Sequence, residues 1–136
     1  MFKIALTGGP CGGKTSAIPF IAGKLQLKGF HVLTVPESAT LLYNNGFVLL
    51  PSPDRSVTYH RQTALIKYQM VLEDSMAAME KIVNKPIIIL SDRGVMDAKV
   101  YSGEHWDYIL SQNNWTEQEL CSRYDLVCHL MTAAIG

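Results

Sequence analysis

Gly8-Gly9-Pro10-Cys11-Gly12-Gly13-Lys14-Thr15 is the stretch that decides the fold of this chain. It fits the pattern G-x-x-x-x-G-K-[ST] of phosphate-binding loops. Its setting fits as well. The apolar run Phe2-Lys3-Ile4-Ala5-Leu6 before it suits a buried strand, and Ser16-Ala17-Ile18 after it begins a helix. Backbone N–H groups must converge on phosphate oxygens in such a loop. Gly8, Gly12 and Gly13 allow this, because no Cβ blocks the approach and positive φ is open to them. Free amides and the helix dipole add positive potential at the same point. Lys14 supplies a charge for the β- and γ-phosphates, and Thr15 a hydroxyl for Mg²⁺. The expected phosphate-binding segment is therefore Gly8, Gly9, Pro10, Cys11, Gly12, Gly13, Lys14, Thr15 and Ser16. A plain glycine-rich turn would not call for Gly-Lys-Thr at this spacing.

A strand is expected over about residues 2–7 and a helix from the loop to about Leu27, with Pro19 predicting a kink or irregularity. Lys28-Gly29 supplies a basic last turn and a C-cap glycine. His31-Val32-Leu33-Thr34-Val35 reads as the second strand, ended by Pro36-Glu37-Ser38. Ala39 to Tyr43 suits a short helix, Asn44-Asn45-Gly46 a turn, and Pro51-Ser52-Pro53-Asp54 a loop. The longest helix is expected from about Arg55 to Val83, on the helical spacing of Val57, Ala64, Leu65, Tyr68, Val71, Leu72, Met76, Met79 and Ile82. Asn84-Lys85-Pro86 breaks it. Ile87-Ile88-Ile89-Leu90 reads as a central parallel strand. Residues 104–112 suit a helix, Thr116-Glu117-Gln118-Glu119 is a capping box opening another, and Asp125 to Met131 is a final strand. Alternating strands and helices imply an α/β domain with a parallel sheet.

The 136 residues suit one small domain, spanning 1–136, and 48% apolar content is ample for its core. Twelve basic and twelve acidic residues cancel, so the charge balance gives no basic surface for nucleic acid or acidic membranes. No apolar run reaches the roughly 18 residues of a transmembrane segment. The N-terminus enters directly into a strand, which argues for a cytoplasmic setting. Cys11, Cys121 and Cys128 are odd in number and lack metal-site spacing, so they read as reduced thiols. Cys11 lies near Lys14 and a helix start, which would lower its pKa; it reads either as a redox-sensitive thiol or as a small loop residue.

In an open parallel sheet, ligands bind beyond the carboxyl ends of the strands. Thr7, Glu37, Asp92-Arg93 and Thr132 all fall there. Asp92 could hold Mg²⁺, orient an attacking group, or cap the next helix. Arg93 could reach a transferring phosphate or pair with Asp92 or Asp97. Glu37 could accept a proton from a hydroxyl or cap the segment at Ser38. Lys99 and Tyr101 follow closely enough to line the site. On the long helix, Gln69 and Glu73 stand four apart and share a face, read either as solvated or as touching an acceptor. His60 reads as a surface or packed histidine rather than a catalyst, while Trp106, Tyr108 and Trp115 suit packing.

Four segments together carry a resemblance: Ala5 to Thr15, Val35 to Leu42, Ser91 to Lys99, and Arg123 to Ala134. They resemble the NadR-type P-loop ATPase/kinase domains, in particular the subgroup that includes the TRPL translocation defect GTP-binding protein. The Asp-Arg-Gly-x-Met-Asp and Tyr-Asp…Thr-Ala-Ala elements carry it more specifically than the loop does. The resemblance implies a three-layer, kinase-like P-loop NTPase fold. It implies Lys14, Glu37, Asp92 and Arg93 as the catalytic set, with Thr15 and Asp92 toward Mg²⁺. It also implies a purine nucleoside triphosphate, ATP ahead of GTP, and phosphoryl transfer to a small hydroxyl-bearing acceptor or hydrolysis. A GTP- or ATP-binding regulatory switch with little catalysis is the alternative. A phosphoinositide partner follows by family analogy only. Relatives continue past Thr132-Ala133-Ala134 into a lid and base-binding segment, so a fold shortened at its C-terminus is expected, with an open sheet edge that favours oligomerisation or instability.

Overall fold

The computed structural model describes residues 1–8, 14–47 and 54–130, apart from the side chains of Lys14 and Thr15. Among these, β1 (Phe2–Thr7), β2 (His31–Val35), β3 (Ile87–Asp92) and β4 (Leu126–His129) form one sheet in the order β2-β3-β1-β4. All pairings are parallel, with Leu6 opposite Asp92, Thr7 opposite His129 and Val35 opposite Ser91. The four carboxyl ends thus share one edge. From β1 the chain crosses toward β2; from β3 it crosses the other way to β4. Adjacent strands β1 and β3 therefore flank a topological switch point, where α/β sheets open a crevice for ligands.

The tetrad expected at the centre is there, and its pleat divides the core. Ile88 and Leu90 face α1 (Lys14–Leu27), packing with Ala22, Ile4 and Val32. Ile87 and Ile89 face the opposite layer with Val35, Leu72 and Met76. Helices on both faces give three layers, the α/β arrangement expected. Helix α1 stays continuous through Pro19. It ends in a Schellman cap: Phe30 N donates to Leu25 O at 3.3 Å and Gly29 N to Gln26 O at 3.0 Å. Phe30 and Leu25 meet in the α1 core. A short helix α2 (Ser38–Tyr43) follows β2.

Helix α3 departs from expectation twice. Asp54 caps it, accepting from Ser56 N at 2.8 Å, and it runs over Arg55–Ala77 rather than to Val83. A 3-10 turn, Ala78–Lys81, tightens its end. Met79 O takes the amides of both Ile82 and Val83, which turns Met79 and Val83 onto Ile87 and Ile89. The expected stripe is also rotated. Val57, Val71 and Ile82 are 40%, 60% and 74% exposed. The buried positions Thr58, Gln62, Ile66, Gln69 and Glu73 keep helical spacing but are mostly polar. Burying them demands partners: Gln69 donates to Glu73, and Thr63 accepts from Asn113.

After β3, α4 (Asp97–Ser102), α5 (Trp106–Asn113) and α6 (Glu117–Cys121) cover α3. Val95, Ala98, Trp106, Ile109 and Leu120 pack around Ile66. The N-cap half of the capping box is in place, with Thr116 accepting from Glu119 N at 3.1 Å. Lys99 does not reach the carboxyl edge: its Nζ lies 2.7 Å from Glu117 Oε1, which also accepts from Trp106 Nε1 at 2.8 Å. The Lys99 hydrogen bond, then that of Trp106, hold the Glu117 carboxyl below its ordinary value. A depressed carboxyl stabilises the fold above its unfolded pKa, and loses that contribution as pH falls through the folded value. Wild type and Glu117→Gln should therefore differ in melting temperature at neutral pH and converge below about pH 4; a gap constant down to pH 2 to 3 would contradict this.

Candidate functional site at the carboxyl edge

The site grows from the end of β3. Ser91 is buried, Asp92 half-buried beside Leu6, and Arg93 turns the chain away. Arg93 N donates to Leu6 O at 2.8 Å, which ties the turn to β1 just before the phosphate loop leaves. Arg93 sits at φ 70°, the left-handed region that costs a non-glycine residue about 1–2 kcal/mol. Gly94 follows in a tight place, where a side chain would make its neighbours give way. A Cβ there would stand 3.1 Å from the Tyr124 ring and 3.2 Å from Ala5 Cβ.

Two carboxylates from different elements converge on the Arg93 guanidinium. Glu37, after β2, approaches its Nε at 3.4 Å; Asp97, at the start of α4, approaches its Nη1 at 3.5 Å. The Tyr101 ring centre lies 5.8 Å from it. Burial pulls the Arg93 pKa down, but Glu37, then Tyr101 and Asp97, raise it more, and the net shift is upward. The cation is permanent. Both ion-pair distances exceed the roughly 2.7–2.9 Å of a tight charge-assisted hydrogen bond, so the guanidinium is held in place yet keeps donor capacity. Of the roles open to these residues in the sequence, Arg93 pairs with Asp97 and with Glu37. Glu37 occupies the N-cap position of α2, yet its side chain makes no capping bond; it points to Arg93 instead.

Arg93, Asp97 and Tyr101 form a wall between two cavities. One, of about 370 Å³, opens on the phosphate-loop side and is lined also by Thr7, Gly8, Val100 and His129. Gly8 adopts φ 143°, and a Cβ there would come within 2.7 Å of Leu130 O, so only glycine lets the chain leave β1 this way. Thr7 Oγ1 and His129 Nδ1 share a hydrogen bond of 3.1 Å at the mouth. The other cavity, of about 510 Å³, lies beyond the wall between α2, α3 and α4. Glu37, Tyr43, Arg61, Gln62, Leu65 and Gln69 line it. Burial, opposed by Arg61 and reinforced by Glu37, raises the Tyr43 phenol pKa. Size and mixed lining suit a small organic molecule.

Of the residues expected from sequence, the structure brings together Gly8, Glu37, Arg93 and Tyr101, with Asp92 beside them at the sheet edge. Ser16 is exposed on α1. Gly9, Pro10, Cys11, Gly12, Gly13 and Thr132-Ala133-Ala134 lie outside the described residues, as do Pro51-Ser52-Pro53 and the side chains of Lys14 and Thr15. Gln69 and Glu73 are 3% and 2% exposed, which overturns the solvated face. Tyr43 and His129 were not singled out by sequence. His129 had one signal, its place at the end of a strand that must finish on the ligand edge; Tyr43 had none.

Among the described residues no helix is long and apolar enough to cross a membrane. None of the curated proteins matches the chain. A family model described as an AAA domain matches residues 3–134, nearly its whole length. A phosphate-loop sequence between β1 and α1, a parallel sheet with its switch point there, and that match lead to one conclusion: the chain belongs to the AAA domain family and is a P-loop nucleotide-binding domain.

Proposed function

We propose that this domain transfers the γ-phosphoryl group of a purine nucleoside triphosphate, ATP ahead of GTP, to a small hydroxyl-bearing acceptor. The observation that carries the reading is the Arg93 wall, with the phosphate-loop cavity on one side and a mixed apolar–polar cavity on the other. A group passing from one to the other passes the guanidinium. The NadR-like pattern of Glu37, Asp92 and Arg93 supports the same assignment.

In this mechanism the amides from Gly8 to Thr15 and the Lys14 ammonium grip the β- and γ-phosphates. Arg93 meets the charge that spreads over the transferring group. Glu37 accepts the proton of the acceptor hydroxyl. The acceptor oxygen bonds to the γ-phosphorus, the bond to the β,γ-bridging oxygen breaks, and the nucleoside diphosphate leaves with that electron pair. Thr15 and Asp92 offer the hard oxygen donors Mg²⁺ takes alongside substrate phosphates, and the half-buried Asp92 at the β3 end fits such a group. Bound there, Mg²⁺ would neutralise phosphate charge.

Titration calorimetry with Mg-ATP and Mg-GTP tests the binding half. Wild type should bind, and Lys14→Ala should bind at least about tenfold more weakly, since charged phosphate contacts are worth roughly 1.5–3 kcal/mol. Thermal shifts should follow, because a ligand at a hundred times Kd stabilises by about 2.7 kcal/mol. Equal binding by both proteins would remove the phosphate loop from the account. Binding with no acceptor-dependent turnover would favour the regulatory-switch reading.

A further inference from the structure

A buried carboxylate lies directly behind the Arg93 wall. Glu73, on α3, is 2% exposed. Its Oε2 accepts from Gln69 Nε2 at 2.9 Å and from the Tyr124 hydroxyl at 2.6 Å; its Oε1 accepts from Arg123 Nε at 3.0 Å. Both donors on Oε2 lead to the same short turn. Gln69 Nε2 also donates to Arg93 O at 3.3 Å, and the Tyr124 hydroxyl accepts from Val95 N at 2.8 Å. Glu73 thus grips the backbone on both sides of Gly94. The Gln69 amide has one orientation here, since both neighbours of its nitrogen are acceptors. Burial, then Glu73, push the Tyr124 phenol pKa up, so it remains a donor throughout the working pH range.

Stability alone is a weak reason for such a network. Buried ion pairs can often be replaced by apolar groups of similar shape at no loss. What the network supplies is geometry. It secures an arginine whose backbone sits in the left-handed region and whose side chain is held by ion pairs of 3.4 and 3.5 Å and by the Tyr101 ring. Strain of that kind persists where surrounding structure over-determines it.

We propose that Glu73 is a positioning residue: acting through Gln69 and Tyr124, it fixes the Arg93–Val95 turn so that the Arg93 guanidinium stays between the two cavities. The proposal rests on the phosphotransfer reading for its consequence, not for its geometry.

Two readouts separate the two. The first needs no activity: the Arg93 Nε–Hε signal in ¹H–¹⁵N NMR spectra of the intact chain. Glu73→Gln should shift or broaden it, and Tyr124→Phe should do the same more mildly, keeping a second folded variant in play. Asp74→Asn, which removes only the exposed outer partner of Arg123, should leave it in place. The second readout is nucleoside diphosphate formation from Mg-ATP in the presence of an acceptor. Glu73→Gln should lower kcat about tenfold with KM within about twofold, and should change nothing further in an Arg93→Ala background. An Arg93 signal unmoved in both Glu73→Gln and Tyr124→Phe overturns the proposal, as does a kcat loss that adds in full to that of Arg93→Ala. A moved signal in a protein that turns over no nucleotide upholds the positioning and removes the phosphotransfer reading.

Discussion

Replacing Arg93 by alanine is expected to lower nucleotide turnover by about 10³-fold while leaving Mg-nucleotide affinity within a few-fold. Arginines that meet the charge of a transferring phosphoryl group are worth 10³–10⁵ in rate, and three decades correspond to about 4 kcal/mol. Affinity should be spared, because in the proposed mechanism the loop amides and Lys14 hold the nucleotide in the ground state. Lysine should restore little. It carries the charge, but as a compact point without the planar fork that spans Glu37 and Asp97 together. Glycine is the discriminating variant. It removes the guanidinium and also relieves the φ 70° backbone, a gain of about 1–2 kcal/mol set against two lost ion pairs. Arg93→Gly should therefore fold within about 1 kcal/mol of wild type yet turn over no better than Arg93→Ala. Steady-state kinetics and denaturant unfolding on the same preparations check both halves. A glycine variant that keeps wild-type turnover would mean that the wall residue takes no part in the chemistry.

Glu73→Ala should show the largest loss of stability, about 3 kcal/mol. The Glu73 side chain is 3% exposed and takes three hydrogen bonds. Removing it leaves the Tyr124 hydroxyl, one Gln69 donor and the Arg123 Nε without their acceptor. Breaking a buried pair from one side costs about 3–5 kcal/mol. The lower end applies because Arg123 keeps Asp74, 2.6 Å from its Nη2. Urea unfolding monitored by Trp106 and Trp115 fluorescence should show the midpoint falling at constant m. A loss under about 1 kcal/mol would mean that water or a shifted side chain takes over the acceptor role.

These two residues also mark how much could be read from sequence. Arg93 was visible. The tetrad Ile87–Leu90 is typical of a central parallel strand, a polar residue at its end then falls at the ligand edge, and the phosphate-loop signature says which edge that is. The ends of β1, β2 and α1 followed from local chemistry: a glycine-rich exit, the Pro36 break, the Gly29 cap. Glu73 was placed on the right helix, but its burial was not visible. Apolar spacing on α3 pointed to Val57 and Val71, whereas the helix buries the stripe holding Thr58, Gln62, Gln69 and Glu73. Periodicity reports which residues avoid water on average; it does not report a polar residue whose partners arrive from distant segments. Tyr124 and Arg123 reach Glu73 only once β4 docks beside β1, where Lys3 N and Asp125 Oδ2 meet at 2.8 Å. The Glu37–Arg93 contact is hidden in the same way, since β2 and β3 are neighbours in the sheet but separated in the chain by the whole of α3. Lys99 was expected near the site by proximity in sequence; the turn of α4 sends it to Glu117 instead.

The most direct test of the central claim is ³¹P NMR of the protein with Mg-ATP, or Mg-GTP, and a panel of sugars, polyols and nucleosides, with Lys14→Ala alongside. Transfer across the Arg93 wall predicts a phosphate monoester of a hydroxyl compound, formed in equal amount with the nucleoside diphosphate and absent with Lys14→Ala. Inorganic phosphate as the sole product with every compound, or a diphosphate signal that persists undiminished in Lys14→Ala, would contradict it.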